Sequence, residues 1–374
     1  MTSVWNRSYC EVNFRFFLLI SKEMSNFAAE KTYNEKIIMQ NSANILITGA
    51  TGFIGGFIVD KALEKGMNVW VAVRPTSSRK YLSDKRINFV HLDFDDESQM
   101  VKAMQGLRFD YVVHAAGVTK CINADDFYRV NTRGTKNLVE ALLQLDMPLK
   151  RFVYVSSLSV FGNVREEYPH KDIKDTDTPR PNTNYGRSKL ESEKYLDEMT
   201  AKGLPCITLR PTGVYGPREK DYFMMAKSIS QHVDFAAGYK PQTITFVYVL
   251  DVVQAIFLAL ENGRIGGKYF LSDGRNYSSR DFSDIICREL GHPWVLRLKA
   301  PIWLLRVITF CGEYVGRMTG KVTALNNDKY HIMKQRNWRC DISPAEDELG
   351  FHPEYDLDSG VRLTVKWYKD NGWL

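Results

Sequence analysis

The feature that most constrains this chain is the spacing of three glycines within residues 44–56. An apolar run at residues 45–47 precedes them and is bounded by turn residues, as a buried parallel strand is. Apolar residues then recur at helical spacing from Phe53 to Leu63. A side chain at the first glycine would obstruct the turn, one at the second would keep the backbone from a pyrophosphate, and one at the third would push the helix off the sheet. The pattern predicts a strand, a tight turn and a helix whose first-turn amides bind the phosphates of a dinucleotide. The alternative is an ordinary strand-to-helix turn.

Buried strands alternate with helices after this turn, which predicts an α/β fold, a doubly wound parallel-sheet Rossmann domain. Further strands are expected at residues 68–73, 87–92, 111–117, 151–155 and 206–210. We expect the dinucleotide-binding domain to span residues 43–211. A smaller C-terminal α/β substrate lobe would span residues 212–374, with a segment near 246–262 returning to the core. Residues 1–42 show no convincing periodicity and are expected to form a disordered or loosely docked extension.

Composition and charge exclude several classes of protein. The 374 residues are 44% hydrophobic, and the net charge of +6 is spread along the chain, so we expect no nucleic-acid partner. Six cysteines lie far apart without histidines at ligand spacing, which indicates free thiols in a reducing cytoplasm and no metal site. No apolar run is long enough to span a bilayer. The apolar stretch at residues 294–318 is interrupted by charges, so we expect it to cover a pocket or the core, with a peripheral membrane contact as the alternative.

The end of the second predicted strand favours NADP over NAD as the cofactor. In this fold an acidic residue there binds the ribose hydroxyls of NAD, whereas an arginine suits the 2′-phosphate of NADP. This chain has Arg74, with further donors at residues 77–80; the alternative is that these are solvated loop charges. The residues that we expect to contact the cofactor are Gly49, Thr51, Gly52, Phe53, Ile54, Gly55, Arg74, Lys80, Asp93, Phe94, Ala115, Ala116, Gly117, Tyr185, Lys189 and Pro211. Of these, Asp93 and Phe94 would lie beside the adenine.

Three side chains near the ends of these strands suit proton transfer at an oxygen. Ligands bind beyond the carboxyl ends of such strands, so Ser157 faces the same crevice as the glycine turn. Tyr185 and Lys189 lie four apart on a predicted helix and project from one face. An ammonium about 4 Å away would stabilise a tyrosine phenolate by up to ~4 kcal/mol and lower its pKa, before desolvation is counted against it. Ser157 would hold the substrate oxygen, Tyr185 would transfer the proton, and Lys189 would orient the nicotinamide ribose. The alternative is a surface tyrosine with a salt-bridge partner; His114 is interpreted as a packed core histidine.

These motifs resemble those of the extended short-chain dehydrogenase/reductase superfamily, which includes the NAD-dependent epimerase/dehydratase family. They are Thr48-Gly-Ala-Thr-Gly-Phe-Ile-Gly55, His114-Ala-Ala-Gly117, Val155-Ser-Ser157, Tyr185-x-x-x-Lys189 and Arg210-Pro-Thr-Gly-Val-Tyr-Gly-Pro217. The resemblance runs from about residue 43 to the end of the chain. It implies a triad of Ser157, Tyr185 and Lys189, a C-terminal substrate lobe, and often a homodimer through the helices bearing Asn131 and Tyr185.

Two branches of that superfamily predict different classes of substrate for this chain. Nucleotide-sugar epimerases and dehydratases usually carry an arginine just before the strand at residues 246–249, where it grips a diphosphate; here residues 242–245 have none. The ending of the second strand and the apolar stretch at 294–318 look more like the dihydroflavonol reductase and 3β-hydroxysteroid dehydrogenase branch. We therefore expect interconversion of a secondary alcohol and a ketone on a bulky, largely apolar substrate. Lys240 keeps the epimerase/dehydratase alternative open, and a non-catalytic NADP-binding regulator is a third hypothesis. The expected substrate contacts are Thr119, Ser159, Tyr215 and Tyr222.

Overall fold

The structure, a computed structural model, describes residues 42–291, 294–320, 323 and 326–374. Apart from residue 42, the expected N-terminal extension lies outside the described residues. The strands are β1 (Asn44–Thr48), β2 (Asn68–Val73), β3 (Asn88–His91), β4 (Tyr111–His114), β5 (Arg151–Val155), β6 (Cys206–Pro211), β7 (Gly213–Tyr215), β8 (Val233–Ala237), β9 (Phe246–Tyr248), β10 (Lys268–Leu271) and β11 (Leu296–Ala300). The helices are α1 (Phe53–Glu64), α2 (Glu97–Met104), α3 (Ala124–Phe127), α4 (Gly134–Gln144), α5 (Asn184–Ala201), α6 (Asp221–Ser230), α7 (Val249–Glu261), α8 (Asp281–Glu289), α9 (Ile302–Thr319), α10 (Asn327–Lys334), α11 (Ser343–Leu349) and α12 (Leu357–Asp370). A π-helical segment, Tyr128–Arg133, joins α3 to α4.

Within the described residues, seven strands form one parallel sheet in the order β10-β6-β5-β4-β1-β2-β3. The chain builds outward from β1 to β3, then returns to place β4 on the other side of β1. The strand order therefore reverses between β1 and β4, the position at which open α/β sheets form a ligand crevice at their carboxyl ends. The prediction of a doubly wound parallel sheet is confirmed.

The two faces of the sheet are covered by different helices. One layer of buried apolar residues joins the sheet to α1, α7 and α11. The layer on the other face joins it to α2, α4 and α5. Both faces of β1 are fully buried, with 0% exposure at Ile45, Leu46 and Ile47, which accounts for the continuous apolar run in the sequence.

The seventh strand, β10, was not predicted from the sequence. It comes from the part of the chain beyond residue 211 and pairs in parallel with β6, so Lys268 lies opposite Thr208 and Leu271 opposite Pro211. The helix α7 likewise returns to the sheet, and its buried residues belong to the same layer as those of α1. The division of the chain at residue 211 remains a proposal.

The rest of the C-terminal half packs around a separate, aromatic-rich cluster. This cluster joins β7 and β9, which pair with each other, to the helices α6, α8 and α12. The strands β8 and β11 form a second two-stranded parallel sheet. At residues 294–318 only one side of the stretch lies against the protein: Leu305 is 7% exposed, whereas Trp303 is 69% exposed and Phe310 is 71% exposed. The expectation that this stretch covers a pocket or the core stays a prediction. None of the described helices is both long enough and apolar enough to cross a membrane.

Candidate active site

The turn between β1 and α1 brings the backbone close to its neighbours and leaves the helix start open. Gly49 has a φ of +73°, and a Cβ there would lie 2.5 Å from the carbonyl carbon of Ala115. A Cβ at Gly55 would lie 2.1 Å from the Gly49 oxygen. Gly52 precedes α1 without a side-chain cap, and the first turn contains no acidic residue. This cradle, with Thr51, Phe53 and Ile54 on its rim, fits the phosphates of a dinucleotide, which the first-turn amides would bind.

The end of β2 presents positive charge to solvent. Arg74 is exposed, and its backbone amide donates to the Ser77 hydroxyl at 3.1 Å, which shapes the loop that follows. Lys80 is also exposed, with its ammonium 5.3 Å from the centre of the Tyr81 ring. Both cations therefore lie on the loop after β2 with solvent around their charges, as a contact to a phosphate requires.

The two residues expected beside the adenine differ in their placement. Asp93 is exposed just after β3. The ring of Phe94 instead lies nearly parallel to that of His114, with 6.0 Å between ring centres, and a Cβ at Gly134 would lie 3.3 Å from the Phe94 Cβ. The half-buried Phe94 side chain thus packs between the sheet and α4, and the expected contacts of Phe94 and Asp93 with the adenine stay predictions.

His114 belongs to the core of the sheet. Its Nδ1 lies 2.7 Å from the Thr48 hydroxyl and its Nε2 lies 2.9 Å from the Thr135 hydroxyl. Burial lowers the pKa of His114 to about 3, so the ring is neutral at physiological pH. The interpretation of His114 as a packed core histidine is confirmed.

Small residues line the end of β4. The amide of Ala116 donates to the Thr48 hydroxyl at 3.2 Å, and the carbonyl of Ala115 abuts the glycine turn. A Cβ at Gly117 would lie 3.4 Å from the Lys189 ammonium nitrogen. The ends of β1 and β4 and the helix α5 therefore meet in one crevice.

The side chains of Ser157, Tyr185 and Lys189 meet beside this crevice. The Ser157 hydroxyl lies close enough to the Tyr185 phenol to lower the pKa of that phenol, and it donates to the Ser159 hydroxyl at 3.1 Å. The Lys189 ammonium donates to the Val155 carbonyl at 2.8 Å, two residues before Ser157, and lies 4.5 Å from the centre of the Tyr154 ring. This arrangement would allow Ser157 and Tyr185 to hydrogen-bond to the same substrate oxygen, with the buried ammonium of Lys189 nearby.

Burial dominates the titration of these groups. It raises the pKa of Tyr185 to about 12, against the smaller lowering effect of the neighbouring Ser157 hydroxyl. It also lowers the pKa of Lys189 to about 8, against the attraction of the Glu193 carboxylate. Desolvation rather than the lysine therefore decides the direction in which the tyrosine pKa moves in this structure. At pH 7 the phenol holds its proton and most Lys189 side chains are charged.

The π-helical segment places Asn131 where it links the end of β4 to α5. Its Oδ1 accepts from the Val118 amide at 2.8 Å, and its Nδ2 donates to the Ser188 hydroxyl at 2.9 Å. Ser188 precedes Lys189, so Asn131 connects the loop after β4 to the helix turn that carries the lysine. The local π geometry, which is frequent at functional sites, gives this residue its position.

A buried ion pair lies behind the triad. The Arg210 guanidinium on β6 binds the Glu193 carboxylate on α5, with contacts of 2.6 and 3.1 Å. The same carboxylate accepts from the Ser156 hydroxyl at 2.5 Å. The pair therefore fixes α5 to two strands of the sheet, one residue away from Ser157.

The four expected substrate contacts are not all brought together. Thr119 is exposed on the loop after β4, and the half-buried Ser159 shares a hydrogen bond of 3.1 Å with the Ser157 hydroxyl. The hydroxyl of Tyr222 lies against Gly213, where a Cβ would be 2.6 Å from it. These three remain candidates.

Tyr215 does not have the expected role, because its side chain is part of the aromatic core. It is 1% exposed, and its hydroxyl donates to the Asp356 carbonyl at 3.2 Å. A Cβ at Gly360 would lie 2.2 Å from that hydroxyl, so α12 closes over it. The structure leaves no part of the Tyr215 side chain free for a substrate.

Thr212 was missed by sequence reasoning. It directly follows Pro211 at the carboxyl end of β6, where ligands of such sheets bind. Its hydroxyl oxygen is buried and has no hydrogen-bond partner among the described residues. Buried hydroxyls without a partner are uncommon, which suits a group that a bound ligand would satisfy.

The sequence profile of the "NAD dependent epimerase/dehydratase family" matches residues 45–271, from β1 to β10. The chain belongs to this family. Its members are enzymes of nicotinamide chemistry, and the chain is an enzyme of this family with a Rossmann fold.

Relatives within the family act on different substrates. The chain is 24% identical to the sterol-4-alpha-carboxylate 3-dehydrogenase, decarboxylating, of Schizosaccharomyces pombe, over 87% of this chain and 97% of that protein. It is 27% identical to a UDP-glucose 4-epimerase of Vibrio cholerae, over 86% of this chain and 94% of that protein. The crystal structure of the UDP-glucose 4-epimerase of Thermotoga maritima with UDP-glucose matches with a TM-score of 0.71 at 23% identity, over 88% and 99% of the two chains. This structural likeness shows the fold.

The site fits the dinucleotide that the name of the epimerase/dehydratase family implies. The glycine cradle, the open first turn of α1, the small residues after β4 and the Lys189 ammonium would hold it. The chemistry that such a cofactor would supply when bound is hydride transfer. The Lys189 ammonium, already held by the Val155 carbonyl, has two further donors for the cofactor's ribose hydroxyls.

Asp328 is a second residue that sequence reasoning missed, and it lies at the start of α10. Its carboxylate accepts from the backbone amides of Asn184 and Tyr185, both at 3.1 Å. The side chain is 7% exposed, and the hydroxyl of Thr183 caps the next amide of the helix, that of Gly186, at 2.9 Å. Negative charge at a helix start is stabilising, so Asp328 anchors the first turn of α5, the turn that carries Tyr185.

We expect Asp328→Asn to lower kcat more than it changes KM, by about tenfold, because a loss of about 1.4 kcal/mol of anchoring would let the Tyr185 phenol move. Steady-state kinetics of the full chain would measure both constants. Asp125→Asn on the short helix α3 is the matched control, since that carboxylate is exposed. An equal loss of kcat in both variants, or a change confined to melting temperature, would contradict a positioning role for Asp328.

Proposed function

We propose that this enzyme interconverts a secondary alcohol and a ketone on a bulky, largely apolar substrate, using NADP or NAD. The observation that carries the proposal is the stretch before β9, where sugar-nucleotide enzymes of this type usually place an arginine. Residues 242–245 contain no arginine, and their polar groups are bonded to the protein itself. The experiment that tests the proposal compares UDP with hydrophobic cyclic ketones as ligands.

The polar side chains of residues 242–245 bond to other parts of the protein, so few of their polar groups are free to bind a diphosphate. The side chain of Gln242 donates to the carbonyls of Met333 and Gln335 at 2.9 and 2.8 Å. The hydroxyl of Thr243 lies 2.8 Å from the His170 Nδ1, and that of Thr245 donates to the Trp338 carbonyl at 2.5 Å. A diphosphate buried without matched cations would lose several kcal/mol of binding. An apolar ring system would gain roughly 25 cal/mol for each Å² that it buries.

The proposed chemistry uses three side chains in separate roles. In ketone reduction, Ser157 and Tyr185 donate hydrogen bonds to the carbonyl oxygen, and Tyr185 then transfers its proton to it. The raised pKa of Tyr185, about 12, keeps that proton in place at neutral pH, as a general acid requires. Lys189 holds the cofactor ribose, and its charge stabilises the phenolate left after proton transfer.

Calorimetry with UDP and a screen of cyclic ketones against NADPH oxidation test the substrate class. We expect UDP to bind with a Kd weaker than about 1 mM, and at least one hydrophobic cyclic ketone to be reduced. Tyr185→Phe is the control for the screen, since NADPH oxidation that survives it does not come from the proposed site. Micromolar UDP binding that competes with substrate would assign the enzyme to the sugar-nucleotide branch instead.

The second candidate function is that of a nucleotide-sugar epimerase or dehydratase with tightly bound NAD or NADP. It is favoured by the names of several relatives, and by Lys240, which is exposed two residues before Gln242 and could reach a diphosphate. The sterol dehydrogenase relative points the other way. A Lys240→Ala variant that lost micromolar UDP binding would support this second function.

We also propose that the enzyme prefers NADPH to NADH, because Arg74 rather than an acid follows β2. Charge-assisted hydrogen bonds are worth about 1.5–3 kcal/mol, so Arg74→Ala should weaken NADPH binding about 10- to 100-fold and leave NADH binding unchanged. Fluorescence titration of both cofactors measures this, with the exposed Arg362 changed to alanine as the control. Equal affinities in the unchanged chain, or an NADH preference that Arg74→Ala does not alter, would reject the assignment.

Two further expectations remain proposals. A homodimer would form through the helices that bear Asn131 and Tyr185, and light scattering would detect it. The absence of a metal requirement is the other, and activity after dialysis against a chelator would test it; the described residues contain no cluster of metal-ligating side chains.

A further inference from the structure

The helix α9 has an apolar face that points away from the protein. Its buried residues include Leu305, Thr309 and Gly316, which recur at a spacing of four and seven. On the opposite side, five large side chains recur at a spacing of three or four, so they form one stripe along the helix. Their exposed fractions are Trp303 69%, Val307 52%, Phe310 71%, Tyr314 60% and Met318 72%. Apolar stripes of this kind normally face a core, but here the stripe faces solvent.

The small sheet of β8 and β11 continues this apolar surface. Phe235 on β8 lies opposite Leu298 on β11, and both are exposed, as is Leu296 on the same face of β11. The sheet adjoins the start of α9, because a Cβ at Gly238 would lie 3.0 Å from the Ile302 side chain. The small sheet therefore adjoins the stripe, and we call the exposed apolar side chains of the two elements together the α9 face. Large exposed apolar patches usually mark an interaction site.

The charges around the α9 face are mostly positive. Arg306 and Arg317 are exposed on one flank of the stripe. Arg297 and Lys299 alternate with the exposed leucines of β11 and so point to the opposite face of that strand, where Arg297 is bonded to Asp284 at 2.5 Å. The acidic residue of α9, Glu313, is bonded to Arg317 at 2.7 Å and to the Asn327 amide at 3.3 Å. The α9 face thus has an apolar centre and a basic border. It is complementary to a surface that has negative charges on the outside and an apolar layer beneath them.

We propose that the α9 face docks on a phospholipid bilayer that contains anionic lipid, with α9 lying in the plane of the interface. Tryptophan and tyrosine favour the depth of the lipid headgroups, and Trp303 and Tyr314 lie on the stripe. A second copy of this chain fits the α9 face less well. A two-fold interface would bring the same patch of both copies together and so set the basic borders against each other.

Docking on this face would hold the membrane close to the catalytic helix. Glu313 on α9 accepts from the Asn327 amide at the start of α10, and the next residue, Asp328, anchors α5. If the proposed function is correct, an apolar substrate dissolved in the bilayer would reach the site from this side. The docking surface itself does not depend on that function.

Co-flotation of the full chain with vesicles tests the proposal without any measurement of turnover. We expect binding to phosphatidylcholine vesicles that contain about 30% phosphatidylglycerol, weaker binding to phosphatidylcholine alone, and loss of binding as salt is raised. Trp303→Ser and Phe310→Ser should each weaken binding about tenfold or more, and Arg306→Gln about fivefold. The control is Leu363→Ser, because Leu363 is 42% exposed on α12, outside the α9 face.

Brominated lipids distinguish insertion from adsorption by charge alone. Their quenching of tryptophan fluorescence should fall in Trp303→Phe, since that ring would lie within the headgroup region. The proposal is overturned if the full chain binds neither kind of vesicle, or if Trp303→Ser and Phe310→Ser bind as well as the unchanged chain. It is also overturned if light scattering shows that these two substitutions convert a dimer into a monomer, because a second copy would then occupy the α9 face.

Discussion

Replacement of Tyr185 by phenylalanine should lower turnover about 10²- to 10⁴-fold while cofactor affinity stays nearly unchanged. The substitution removes the phenol that holds the transferable proton, but it keeps the ring, whose centre lies 6.5 Å from that of Phe127. NADPH oxidation with a substrate from the ketone screen measures turnover, and fluorescence titration measures cofactor binding. Lys189→Ala should damage both quantities, because that ammonium is proposed both to bind the ribose and to stabilise the phenolate.

A matched control is available on the same helix. The Tyr195 hydroxyl donates to Glu140 at 2.6 Å, on the side of α5 that faces α4. Tyr195→Phe therefore removes a phenolic oxygen from α5 without touching the crevice, and its turnover should stay near that of the unchanged enzyme. Near-normal activity of Tyr185→Phe on a confirmed substrate would show that another group supplies the proton.

Arg210→Met should destabilise the fold by about 3–5 kcal/mol, because it leaves the Glu193 carboxylate buried without its partner. Glu193 is 0% exposed, and Arg210 is what chiefly holds its pKa below the usual value against the effect of burial. Urea denaturation measures the free energy of unfolding. Arg362→Met is the control, since its ion pair with Asp358 is exposed and should be worth under about 1 kcal/mol.

The destabilisation caused by Arg210→Met should become smaller as the pH falls. In the unchanged chain the ion pair lowers the pKa of Glu193, so its contribution to stability is present above the usual value of 4.5 and is lost as the pH falls through the lowered value. In Arg210→Met, burial acts unopposed by that pair and raises the pKa, so the destabilisation should shrink as acid protonates Glu193. A destabilisation that is the same at pH 5 and pH 8 would indicate lost packing rather than an unpaired charge. The same conclusion would follow if a Glu193→Leu, Arg210→Met double variant failed to recover stability.

Local patterns in the sequence were enough to predict six of the seven strands of the sheet. The glycine turn and the apolar runs of β1 to β6 each depend on residues close together in the chain, and the doubly wound arrangement follows from their alternation with helices. The strand β10 was missed because its four residues, Lys268–Leu271, carry no periodic signal of their own. Its place beside β6 is decided by long-range pairing, which a single sequence does not show.

The parts of the candidate site that could not be predicted depend on contacts between distant segments. Nothing near Asp328 in the chain indicates that it binds amides 143 and 144 residues earlier. Tyr215 was assigned to the substrate because it follows β6 in a recognisable motif, but the packing of α12 over its hydroxyl was not visible. The net direction of the Tyr185 pKa shift could not be predicted for a related reason, since desolvation depends on everything packed around the phenol. The site residues themselves stay predictions until variants are measured.

The bond between Asp328 and the start of α5 has a consequence for protein engineering. Hybrid enzymes are often made by joining the sheet of one relative to the substrate-recognising half of another. Here such a hybrid would inherit Ser157, Tyr185 and Lys189 intact, yet it would lose the carboxylate that anchors the turn bearing Tyr185 if the donor lacked an equivalent of Asp328. Transfer of substrate preference between relatives would therefore require the segment around α10 to be exchanged together with the first turn of the helix that it holds.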